Sequence, residues 1–254
     1  MILCSPTPAA IVKAVLLALL ADDLPCLKGA EGDLGLFGHT AGQDADQAAM
    51  PPLLAGLAAR NIQAQWLQDT PGRTLRRLVA ANLRYSSPDR ATVAFAAIEE
   101  ALLHGPAYAF SGIGDISRLF LSRYRAVGHE VHKMTGFVRF HPAGEDTLVA
   151  RPKLFHDTAD LILRVFAPRY PHSRLVFLLP AGGLALERGQ LFPVPSAEYQ
   201  RYVDEDPFAA TWEQYYRSQY IASRKNLALA QRFLPKKYWD SLAEGKILAA
   251  EAQN

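Results

Sequence analysis

Residues 217 to 239, "RSQYIASRKNLALAQRFLPKKYW", hold six cations and four aromatic rings, and no acid lies among them. Such a run suits electrostatic and stacking contacts rather than the making or breaking of bonds. Arg217, Arg224, Lys225, Arg232, Lys236 and Lys237 are the groups that neutralise phosphates and release their condensed counterions. An exposed base can stack on a ring such as Tyr220, Tyr238 or Trp239 for ~1–3 kcal/mol. The same composition also fits a plainer arrangement, in which the rings anchor a core and the cations form its solvated rim. A second cationic set, Arg118, Arg125 and His132 with Ser122 and His129, repeats at helical spacing opposite an apolar stripe of Ile113, Ile116, Phe120, Val127, Val131 and Met134.

Bond-making chemistry has little support. "HEVH" at 129 to 132 is one residue short of the H-E-x-x-H that puts two zinc-binding rings and a general base on one helical face. No G-x-S-x-G, no Walker A loop and no dinucleotide fingerprint occurs; "SGIGD" at 111 to 115 lacks the third glycine. Cys4 and Cys26 are the only cysteines, too few for a disulfide framework, a thiolate zinc site or an iron–sulfur cluster. No metal or cofactor is expected. A base-processing, glycosylase-like hydrolase built on a carboxylate such as Glu213 or Asp157 and a histidine stays open as an alternative.

The elements that would position these groups can be read from composition and period. With 254 residues, half of them hydrophobic, and a net charge of +2, the chain can bury a substantial core and is not a globally basic protein. "MILC" reads as a strand and "SPTPAAIVKAVLLALL" as a buried helix entered through prolines; at about 13 residues its apolar run is too short to span a bilayer. A cytoplasmic protein without membrane contact is expected. Residues 25 to 52 suggest loops and a short helix, and "IQAQWLQ" a second strand. "DTPGRTLRRLVAANL" predicts a helix capped by Thr70, and "SSPDRATVAFAAIEEALLHGP" one capped by Ser87 and stopped by Gly105 and Pro106. A further helix is expected from Gly112 to Met134. "GFVRF", "TLVAR", "RLVFLL", "LALER" and "QLF" predict short strands, with "HDTADLILRVFAPRYP" as a helix among them. "DEDPFAATWEQYYRSQY" predicts a helix with Asp206 as cap and Pro207 in its first turn.

The expected class is α+β and mainly helical: an N-terminal strand–helix segment, a small central antiparallel sheet packed by a helix, and a helical C-terminal tail. The expected boundaries fall at 1–134, 135–195 and 196–254, as lobes of one compact unit.

Three blocks, "HEVHKMTGFVRF", "RPKLFHDTADLILRVFAPRYP" and "DPFAATWEQYYRSQYIASRKNLALAQRFLPKKYW", resemble a family of bacterial proteins described as probable DNA metabolism proteins with a DUF4130-type domain. The matching positions are His132, Phe137, Arg139 and Phe140, then Pro152, Phe166, Arg169, Tyr170 and Pro171, then Trp212, Tyr216, Ile221, Arg224, Asn226, Pro235 and Tyr238. Members are typically encoded beside a putative DNA modification or repair radical S-adenosylmethionine (radical SAM) protein, and in some the module is fused to a uracil-DNA glycosylase-like domain. None is expected after Asn254. "FLLPAGG" departs from the family's aromatic–Asp pair, and residues 26 to 52 match it poorly.

The resemblance implies an accessory of DNA metabolism and repair, more a non-catalytic partner than an enzyme, working with a radical SAM enzyme. DNA, single-stranded in the version that uses the rings, would be held through Arg217, Tyr220, Arg224, Lys225, Asn226, Arg232, Lys236, Lys237, Tyr238 and Trp239. Arg139, Arg118, Arg125 and His132 would extend that surface. The competing expectation is a protein-interaction module that docks on the radical SAM partner through the same residues and never touches nucleic acid.

Overall fold

The computed structural model describes residues 1–29, 42–204, 211, 214, 215, 218, 231, 234–242, 245, 248 and 249. The expected helix around Asp206 and Pro207 lies outside them, as do Arg217, Tyr220, Arg224, Lys225, Asn226 and Arg232. The chain divides into two compact units, Met1–Glu130 and Val131–Asn254. Its described elements make an α+β fold dominated by helices, with one small sheet in each unit.

In the first unit, β1 (Ile2–Cys4) is the centre of a parallel three-stranded sheet, between β2 (Pro25–Leu27) and β3 (Gln43–Asp44). The buried α1 (Pro8–Ala21) follows β1; Thr7 caps it by accepting the Ala10 N–H, and Pro8 takes a first-turn place where no N–H is missed. The segment 25 to 52, expected as loops and a short helix, contributes two of these strands, a 3-10 turn at Ala45–Gln47 and the start of α2 (Met50–Ala59). Strands of two or three residues are too short to show a period.

"IQAQWLQ" is not a strand: Gln65–Gln68 form a 3-10 turn that buries Leu67. Gly72 explains the close approach, since a Cβ there would lie 2.0 Å from the Leu67 carbonyl oxygen. Gly72 belongs to α3 (Thr70–Arg84), which packs on α4 (Arg90–His104). The residues flanking these helix starts are Asp69 and Asp89; Thr70 is already helical, and Ser87 instead hydrogen-bonds the Asp89 carboxylate. Gly105, at φ 85°, ends α4 in a conformation that a Cβ disfavours. Pro106 then opens α5 (Pro106–Ser111).

At the carboxyl ends of the parallel strands a polar cluster closes the first unit. The Ser5 hydroxyl and N–H donate to Asp46, and Lys28 Nζ sits 2.8 Å from Asp44 and 2.7 Å from Asp46. Hydrogen bonds from Lys28 and Ser5 hold the Asp46 carboxyl down to about 2. Burial, reinforced by Asp46, pushes the neighbouring Cys4 thiol up to about 12, which keeps it protonated and unreactive.

α6 (Asp115–Phe137) begins and ends three residues later than expected. Its apolar stripe is real at Phe120, Val127 and Met134, which are buried; Ile113 precedes the helix and is 71% exposed. Arg118, Ser122, Arg125, His129 and His132 are all exposed, as their spacing requires.

The second unit carries a five-stranded sheet in the order β4 (His141–Pro142), β5 (Thr147–Ala150), β6 (Arg174–Leu179), β7 (Gly182–Glu187), β8 (Gln190–Val194). Three pairings are antiparallel, and β5 with β6 is parallel because α7 (Ala159–Phe166) lies between them and returns the chain to its starting edge. "GFVRF" is the end of α6 followed by irregular chain rather than a strand. Alternation along β6 makes two cores: Leu175 and Phe177 face α7, while Val176 and Leu178 join Tyr199, Tyr202 and Val203 around α8 (Gln200–Asp204).

Candidate nucleic-acid interface

Pro195 and Pro235 punctuate the second half of the chain, and Pro235 leads into a 3-10 turn, Lys236–Ser241. In such a turn side chains three apart eclipse, so Lys236 shares a side with Trp239 and Lys237 with Asp240, leaving Tyr238 to point elsewhere. Tyr238 points inward. It is 1% exposed and meets Phe137 and Phe155 edge-on, with ring centroids 5.6 and 5.3 Å away. Trp239 is buried too, and its indole N–H donates to the Leu234 carbonyl at 2.8 Å. A Cβ on Gly245 would fall 2.3 Å from the Trp239 Cα, so only glycine fits at that position beside the turn.

The lysines beside these rings keep their charged ends at the surface. Lys236 and Lys237 are both exposed. Lys237 Nζ lies 4.0 Å from the Phe155 centroid and 5.0 Å from that of Tyr238; Lys236 Nζ lies 5.8 Å from the Trp239 ring. Lys153 approaches Phe155 as well, at 5.8 Å, and binds the Asp240 carboxylate at 2.6 Å. Among the described residues neither Lys236 nor Lys237 takes part in an ion pair. Two exposed ammonium groups thus lie over aromatic rings whose quadrupoles attract them.

The expected stacking role of Tyr238 and Trp239 is therefore corrected: both rings are part of the core, and neither presents a face to a base. Tyr238 was drawn inward by Phe137 and Phe155, partners far away in sequence. Several positions of the family pattern behave alike. Phe140 packs against Phe166, Tyr170 and Phe177 at 5.1, 5.9 and 5.8 Å, so these rings hold the unit together.

The other anticipated cations are divided between the units. In the first, Arg118 is tied to Asp115 at 3.0 Å and to the Ile113 carbonyl, while Arg125 is exposed on α6. In the second, His132 is exposed and Arg139, also exposed, donates to the Gly136 carbonyl at 3.2 Å. Glu213 lies outside the described residues, and Asp157 is exposed ahead of α7. Among the described residues no group of three or more His, Cys, Asp or Glu could hold a metal ion, and no helix is long and apolar enough to cross a membrane.

Sequence reasoning missed Lys153, Phe155 and Asp240. Their signal was "KLF" beside a proline in one block and "KKYWD" in another, two cation–aromatic pairs whose convergence only the fold reveals. A family model, that of a domain of unknown function (DUF4130), matches residues 88–244. No curated protein and no solved structure matches the chain.

Proposed function

We propose that this chain, which belongs to the DUF4130 family, is an accessory protein of DNA metabolism and repair that binds the phosphate backbone of nucleic acid and works beside a radical SAM enzyme. One observation supports this reading above others: Lys236 and Lys237 are exposed, adjacent, outside any described ion pair and placed over the rings of Trp239 and Phe155. Ammonium groups so placed meet phosphates without first breaking an ion pair among the described residues, and each contact releases counterions. The chemistry proposed is positioning, in which cations hold phosphates in place.

The test is a salt titration of binding to a labelled single-stranded oligonucleotide. Engagement of about four phosphates gives log affinity against log salt a slope near −3. A flat response, or no binding at low salt, removes the proposal.

One observation favours a second reading. Tyr238 and Trp239 face the core, so the described turn offers cations without a stacking ring. That suits docking on an acidic face of the radical SAM partner. Co-purification with that enzyme after nuclease treatment, together with indifference to oligonucleotides, would select it.

A further inference from the structure

Resting on the nucleic-acid reading just given, we infer that the solvent face of α3, in the first unit, is itself a contact for the phosphodiester backbone of nucleic acid. The helix is Thr70–Arg84, "TPGRTLRRLVAANLR", with four arginines and no acid in fifteen residues. It lies outside the stretch matched by the family model, 88–244.

The placement of the arginines follows from helical geometry. Gly72, Leu75, Leu78, Val79 and Asn82 are buried. At 100° per residue these centre near Leu75, and Arg73, Arg77 and Arg84 fall within about 40° of one another on the opposite side. Arg73 and Arg77 are exposed. One turn separates them, about 6 Å along the axis. Arg73 touches the Thr70 hydroxyl at 2.6 Å, and among the described residues neither guanidinium takes part in an ion pair. Arg84 continues the line but is half-buried, so only Arg73 and Arg77 are assigned.

A solvated helix face ordinarily mixes signs, because Glu to Lys or Arg pairs one turn apart stabilise it. α3 forgoes that entirely. Arg76 is different in kind: it turns back and donates to the Leu67 carbonyl at 2.9 Å, a structural task. What is left is a row of planar forks, always charged and shaped for bidentate contact with phosphate oxygens. A polyanion of repeating phosphates is the partner that this row complements.

The experiment compares four full-length proteins by salt titration on single-stranded and duplex oligonucleotides: wild type, R73Q/R77Q, K236Q/K237Q and the surface control R164Q. Thermal melts check that each is folded. If α3 is a contact, R73Q/R77Q loses affinity and its slope flattens by about 1.4 on single strands or about 1.8 on duplex, while R164Q keeps the wild-type slope. Wild-type slope and affinity in R73Q/R77Q overturn the inference; if K236Q/K237Q is weakened at the same time, the proposed function stands without it. The converse, loss only in R73Q/R77Q, keeps α3 and removes the role of Lys236 and Lys237. Equal binding of polyglutamate through Arg73 and Arg77 also overturns the assignment, because the row would then be reading negative charge rather than phosphate. No binding by the wild type overturns both.

Discussion

Lys237 holds its ammonium group 4.0 Å from the centroid of the Phe155 ring. A cation at that distance is steadied without being neutralised, unlike one in an ion pair. The contact joins a residue of the turn after Pro235 to one that precedes α7, and it fixes where the positive charge stands.

Replacing the ring tests that role. Phe155→Leu keeps an apolar, half-buried side chain but removes the quadrupole, a loss of about 0.5–1 kcal/mol at an exposed cation–π contact. Oligonucleotide affinity is expected to fall about two- to fivefold with an unchanged salt slope, since the number of cations is the same. Unaltered affinity would show that Phe155 does not orient Lys237.

A different pair governs the first unit. The buried Arg123 donates through Nη2 to both oxygens of Asp89, at 3.0 and 2.8 Å, over the Tyr85 ring, while its Nε and Nη1 have no hydrogen-bond partner among the described residues. The Arg123 guanidinium in turn holds the Asp89 carboxyl below its ordinary range. Asp89→Asn leaves that guanidinium buried and less compensated, and should cost roughly 1–3 kcal/mol, towards the lower end because Asp89 itself is half-exposed. Arg123→Met removes the orphaned donors together with the charge and should stay within about 1 kcal/mol of wild type. Urea denaturation of both variants checks the order; a costlier Arg123→Met would refute it.

Acid should act on the cluster around Asp46. Its carboxyl is depressed to about 2 by Lys28 and Ser5, against an ordinary value near 3.9. A depressed folded-state value contributes stability that is complete above about pH 4 and fades as pH falls towards 2. Asp46→Asn should therefore be less stable than wild type at pH 6, and the gap should close between pH 4 and pH 2. A gap independent of pH would mean that the hydrogen-bond geometry, not the charge, carries the effect.

How much of this was legible depended on how local the cause was. α1, α3, α4 and α7 declare themselves through prolines, glycines and apolar spacing, all within one element. "IQAQWLQ" alternates like a strand, yet it turns because Gly72 admits its backbone; that contact is tertiary. The parallel pairing of β5 and β6 follows from α7 once it is known that both strands share a sheet. At the candidate site, charge was visible in the sequence and ring orientation was not. Lys236 and Lys237 stand exposed as their composition suggests, but whether Tyr238 faces water or core was decided by Phe137 and Phe155, about 100 and 83 residues earlier.

The central claim is that Lys236 and Lys237 contact phosphate, and the most direct measurement compares K236R/K237R with K236Q/K237Q on one labelled single strand over a range of salt. The account predicts that the arginine variant keeps the wild-type slope while the glutamine variant flattens it by about 1.4. Superimposable titrations for both variants would contradict it.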